Sequence, residues 1–194
     1  MTVANKDKSA YRAALLGQLG AYRNSVKFVG SADGNEGHSG WTAKKLTEWA
    51  PMFFAKSPAD VVLLQAGTNE LARRVSADQA LLRMLHLIHK LRALNPNVTI
   101  FVLANPPVTR LIPLPWKGPE PYNFNLGLPA ICSLTGANFA GIHPADPGDM
   151  APDGIHPGWS GNIKTGTHWG LVLRIWLQTR KCSEASPSIC LHVR

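Results

Sequence analysis

The chain has 194 residues, the size of one domain of roughly 150 residues with a short appendage. Hydrophobic residues make up 45% and charged residues 16%, which excludes a disordered chain; Gly 17 and Pro 15 without a fixed period exclude a fibrous one. The net charge of +8 comes from 20 basic and 12 acidic residues, but no basic run exceeds a pair, as at Lys44-Lys45, Arg73-Arg74 and Arg180-Lys181, so a solvated surface is expected and no nucleic-acid partner. No apolar run reaches the roughly 18 residues of a spanning helix, so no membrane partner is expected either. The N-terminal MTVANKDKSAYRAALL lacks the apolar core of a signal peptide. Cys132, Cys182 and Cys190 are too few for a disulfide framework. Cys132 reads as a buried thiol, while Cys182 and Cys190 are placed either to close a small loop or to stay unpaired in the tail.

In chain order, the spacing of Tyr11, Leu15, Leu16 and Leu19 predicts a helix over Ser9–Ala21. Val26–Val29 is β-branched and aromatic, ends at Gly30, and reads as a strand. A turn-rich loop over Ser31–Gly40 follows, and Thr42 caps a helix to Phe54. Asp60–Gln65 is a continuous apolar run, as expected of a strand buried on both faces. Ser76 with Gln79 three residues on forms a capping box for the longest helix, which ends at Leu94 before Asn95-Pro96. Val98–Leu103 is a third strand, 105–122 a proline-rich excursion, 123–134 a helix and 138–142 a fourth strand. His168–Gln178 reads as a last helix, and residues 181–194 as an unstructured tail behind one domain over 1–180. Unbroken apolar strands alternating with helices imply a parallel sheet with helices on both faces.

In open α/β sheets, ligands bind beyond the carboxyl ends of the strands. Three loops occupy that place: Gly37-His38-Ser39-Gly40-Trp41, Gly67-Thr68-Asn69-Glu70 and Asp153-Gly154-Ile155-His156-Pro157. Taken singly, each has a plain structural reading as a turn, a helix cap and a solvated loop. Taken together, in this order, they resemble the SGNH (GDSL) hydrolase family, with its GxND-like turn and its DxxHP motif. Gly37–Thr42 resembles the GHxGWT element of a fungal, carbohydrate-esterase-like branch.

The resemblance implies a three-layer α/β/α, flavodoxin-like fold and a hydrolase of acyl or acetyl esters, of plant polysaccharides among others. It implies His156 as general base, Asp153 as the carboxylate orienting it, and Asn69 and Gly40 as oxyanion-hole donors. It implies no cofactor, a small-molecule or carbohydrate ester as partner, a monomer, and a secreted relative. Glu70 stands where the family usually has Asp.

The family's nucleophile is the serine of a Gly-Asp-Ser motif after its first strand, and this chain contains no Gly-Asp-Ser. The segment from Asn5 resembles the start of the helix that follows that strand. The chain thus reads as short of one central strand and its serine, with exposed sheet edges and low stability as the expected consequence. The rival reading is a catalytically inactive, ester- or carbohydrate-binding relic. Ser9 reads as a helix cap. Ser39 partly matches the G-x-S-x-G elbow, but Trp41 replaces the second glycine and the loop is long for an elbow. The glycine-rich run Gly158–Gly166 breaks the amphipathic helix that the family places after DxxHP. His143, Asp146, Asp149, Asp153 and His156 offer metal-ligand chemistry, but their spacing matches no compact zinc motif and no metal is expected. His86 and His89 read as surface residues of the long helix.

Overall fold

The computed structural model describes residues 9–31, 34–108, 118–179 and 188–192. They belong to two compact units, within the span expected as one domain. None of the described helices is long and apolar enough to cross a membrane.

The larger unit holds the sheet. Its strands are β1 (Lys27–Val29, continuous with the smaller unit at Lys27), β2 (Val61–Leu64), β3 (Thr99–Leu103), β4 (Asn138–Gly141) and β5 (Ser188–His192). Between them run α2 (Ala43–Lys56), the short α3 (Thr68–Ala72), α4 (Ala77–Leu94) and α5 (Glu120–Thr135). The expected caps are in place: Thr42 Oγ1 accepts from the Lys45 amide at 3.2 Å, and Ser76 Oγ accepts from the Gln79 amide at 3.3 Å. β2 is buried along its whole length, as its unbroken apolar run predicts. Val62, Leu64, Ile100 and Val102 pack with Leu46, Met84, Ile88, Phe124 and Leu128 into one core. Each such side chain contributes about 2 kcal/mol on burial. Cys132 lies in the same core, and burial pushes its thiol up to about 11.

The strand order is β1-β5-β2-β3-β4. β2 runs parallel to β3 (Val62↔Ile100), and β3 runs parallel to β4. The parallel α/β sheet is therefore as expected, but the tail is not. Residues 188–192, read as unstructured, form β5 beside β2 in parallel register, with Val61↔Ile189 and Leu64↔His192. The sheet has no gap between β1 and β2 because this short Ser-Ile-Cys-Leu-His run lies there. The edges expected from a missing central strand are thus paired. Cys182 lies outside the described residues.

The smaller unit packs α1 (Ser9–Leu19) on α6 (Trp159–Thr179). Leu15, Leu19, Trp169 and Leu173 are fully buried there. The last helix starts at Trp159, nine residues before the expected His168, and runs through the glycines that read as breakers. They serve close packing instead. A Cβ on Gly166 would collide with the Tyr11 carbonyl, and one on Gly170 would lie 2.5 Å from the Leu15 carbonyl oxygen. Backbone approaches backbone here because side chains are absent.

Candidate active site

The acidic, proline-rich loop of the smaller unit carries Asp153 and His156. Ala151-Pro152-Asp153-Gly154 is a tight turn, closed by the Gly154 amide donating to the Ala151 carbonyl at 2.8 Å. Proline at its second position and left-handed Gly154 (φ 64°) are the residues such a turn favours. The loop's two arms are tied by Ala151 N–H to the His156 carbonyl at 2.6 Å and Gly158 N–H to the Asp149 carbonyl at 2.7 Å.

Inside this frame Asp153 Oδ1 accepts from the amides of Ile155 (3.0 Å) and His156 (2.9 Å), which fixes the carboxylate. Its Oδ2 pairs with His156 Nδ1. The carboxylate only accepts, so Nδ1 carries the proton and the neutral ring bears its lone pair on Nε2. Both side chains are partly exposed, at 24% for His156 and 38% for Asp153, so the ring is reachable from solvent.

The other titratable groups of this loop have structural duties. Lys164 binds Asp146 at 2.9 Å and Asp149 at 2.6 Å, and its hydrogen bond holds the Asp149 carboxyl down at about 2. His143 is buried, accepts from the Ala145 amide at 3.1 Å through Nδ1, and meets Thr165 Oγ1 at 3.2 Å through Nε2. That hydroxyl gives its proton to the Gly161 carbonyl, so His143 Nε2 is the donor and the ring is neutral. Among the described residues no three metal-ligating side chains converge.

The larger unit carries Gly40 and Asn69 at the carboxyl ends of β1 and β2. Gly67 (φ 111°) turns the chain out of β2 into α3, and a Cβ there would strike the Phe124 ring. Asn69, the second residue of α3, donates from Nδ2 to the Trp41 carbonyl at 2.7 Å. Arg73 donates to the Gly40 carbonyl at 3.0 Å. The Trp41 amide closes a turn onto the His38 carbonyl at 3.3 Å, with Gly40 at φ 74°. Thus the structure brings the Gly40 loop and Asn69 together, as it does Asp153 and His156. Ser39 lies exposed in a turn with α2 beginning at Ala43, not on a strand-to-helix elbow.

Glu70, which stands where the family usually has Asp, has a structural role. It is fully buried, accepts from the Lys44 amide at 3.4 Å at the start of α2, and lies 3.9 Å from the Arg83 guanidinium. Burial holds its carboxyl above the usual carboxylate range. The sequence reading gave no role to Glu36 or to His38, whose side chains pair within the β1–α2 loop at 2.9 Å. The available signal was a carboxylate two residues from an imidazole in a glycine-rich turn.

Among curated proteins none matches this chain. Solved structures do. A family 3 carbohydrate esterase from Talaromyces cellulolyticus aligns over 89% of this chain and 93% of its own, at 20% identity and a TM-score of 0.74. An acetyl esterase mutant solved with an acetate ion aligns over 88% and 92%, at 21% identity and 0.74. A Clostridium thermocellum family 3 carbohydrate esterase aligns over 86% and 88%, at 25% identity and 0.67. The first two likenesses establish the fold. The sequence model of the GDSL-like lipase/acylhydrolase family matches residues 4–162, and with most of its length so matched the chain belongs to that family.

Proposed function

We propose that the chain carries the machinery of an acyl-ester hydrolase acting on acetyl or other small acyl esters, carbohydrate esters among them. The observation that carries this reading is the Asp153–His156 pair, held in one tautomer by a turn that leaves the ring reachable. In this reading His156 takes the proton of the attacking hydroxyl and returns it to the leaving alcohol. Asp153 stabilises the imidazolium between the two transfers. In the same reading Asn69 and the Gly40 amide are assigned as the donors to the developing oxyanion, each such donor being worth about 3 kcal/mol of barrier. Acetate as product and a sugar hydroxyl as leaving group agree with the acetyl and carbohydrate esterases of the same fold.

A second reading is favoured by one observation: no Gly-Asp-Ser stands in the chain to supply the nucleophile. The site would then bind esters or carboxylates without turning them over. p-Nitrophenyl acetate hydrolysis that His156→Ala abolishes, with a serine labelled by a fluorophosphonate, supports the hydrolase. Absence of both labelling and turnover refutes it and leaves the binding reading.

A further inference from the structure

The loop between β1 and α2 holds a second carboxylate–imidazole pair, which the ester chemistry does not use. Glu36 is 4% exposed. Its carboxylate accepts from the Ser31 amide at 2.5 Å, the Ser31 hydroxyl at 2.7 Å and His38 Nε2 at 2.9 Å. A buried carboxylate with three donors is held firmly, and its bonds are stronger than they would be in water. It also fixes the imidazole, since Nε2 must carry the proton.

The ring is fixed a second time by its faces. It stacks on Trp41 with centroids 4.1 Å apart and on Phe53 at 5.0 Å. Lys45 lies over the Trp41 ring, 4.3 Å from its centroid. The consequence runs along the backbone. The His38 carbonyl receives the Trp41 amide, the Gly40 carbonyl receives Arg73, and the Trp41 carbonyl receives Asn69. Gly40, a left-handed glycine with open space around its α-carbon, has no side chain of its own to hold it. Beyond the Arg73 bond to its carbonyl, Gly40 is oriented through its neighbours, and on one side the chain of support ends at Glu36.

We infer that Glu36 and His38 are positioning residues that set the direction of the Gly40 N–H and its register against Asn69. The inference rests on the oxyanion reading above and adds the device that holds that hole in shape. Loop packing alone would make the same contacts, so the test must separate the hydrogen bond from the stack. His38→Phe keeps an aromatic ring on Trp41 and Phe53 but loses the donor to Glu36. His38→Gln keeps an N–H donor and loses the stack. Glu36→Gln keeps shape and removes the charge.

The experiment is an amide NMR titration of the full chain with sodium acetate, against sodium chloride at matched ionic strength. In the wild type the Gly40 amide should shift saturably. Glu36→Gln and His38→Phe should weaken acetate binding about tenfold, the scale of one charge-assisted hydrogen bond, with near-UV circular dichroism unchanged. His38→Gln should retain more of the affinity than His38→Phe. Wild-type affinity in Glu36→Gln overturns the inference alone, as does a loss in His38→Gln equal to that in His38→Phe. If His38→Phe does not fold, the near-isosteric Glu36→Gln decides. Absence of any Gly40 response in the wild type overturns the oxyanion reading itself, and this inference with it.

Discussion

Two glycine-to-alanine replacements in helices should move stability in opposite directions. Alanine is preferred to glycine inside a helix by about 1 kcal/mol. Gly17 lies within α1 with nothing within 4 Å of an added Cβ, so Gly17→Ala should realise about 0.5–1 kcal/mol of that gain. At Gly170 the added carbon would lie 2.5 Å from the Leu15 carbonyl oxygen and 2.6 Å from Gln18 Cβ. The first of these is backbone and cannot swing aside, so α1 must move off α6. Overpacking costs about 1–3 kcal/mol, and against a backbone atom the upper part of that range, about 2–3 kcal/mol, applies; set against the helix gain it leaves a net loss of about 1–2 kcal/mol. Urea unfolding followed by circular dichroism should show a lower midpoint for Gly170→Ala and a higher one for Gly17→Ala, with unchanged slopes. For a chain of this size the shifts amount to about −2 to −8 °C and +1 to +4 °C in Tm. A Gly170→Ala protein as stable as the wild type would refute the close approach of α1 and α6. Gly166→Ala, facing the Tyr11 carbonyl, should behave as Gly170→Ala does.

Glu70 binds its proton more tightly folded than unfolded, so the folded state holds more protons and stability falls as pH rises above the ordinary carboxylate range. Glu70→Gln should flatten that decline in a pH series of thermal melts; an unchanged slope would show that another group causes it. Asn69→Ala should cost about 1 kcal/mol through the lost bond to the Trp41 carbonyl, read by chemical denaturation, and should also weaken acetate binding. For Asp149 the folded value lies below the unfolded one, so its contribution is present above about pH 4 and is lost as pH falls toward about 2. Lys164→Met should return the Asp149 carboxyl toward its ordinary value in an NMR titration. No change there would remove the lysine as the cause.

Much of the larger unit was legible because its segments carry strong periods and caps. Thr42, Ser76 and the unbroken Val61–Leu64 run act locally, and local signals survive in sequence. The first half of α6 was not legible. Gly161 and Gly166 look like breakers until their surroundings are known, Asp149 and Pro157 against Gly161 and Tyr11 of α1 against Gly166, and those contacts are tertiary. β5 was illegible for a similar reason: five residues of mixed character become a strand only beside β2. In the candidate site, the pairing of Asp153 and His156 was legible through the resemblance carried by the DxxHP motif, whose three-residue spacing lets one turn bring the two side chains together. The bond from Asn69 of α3 to the Trp41 carbonyl spans 28 residues of sequence, and Glu36 reads as an ordinary loop acid until its burial is known.

The placement of β5 also has a kinetic side. Val61 and Ile189 are neighbours in the sheet, about 130 residues apart along the chain. Closing so long a loop is entropically slow, and a contact of that span weighs heavily against the folding rate. β2, β3 and β4 form an uninterrupted block whose strands are joined by nearby helices. β1, although it comes first, has no strand to pair with until β5 arrives. Folding should therefore be ordered, with the β2–β3–β4 block early and the β1–β5 side last. During that interval the bare flank of β2 is where a chaperone or a second unfolded chain would attach.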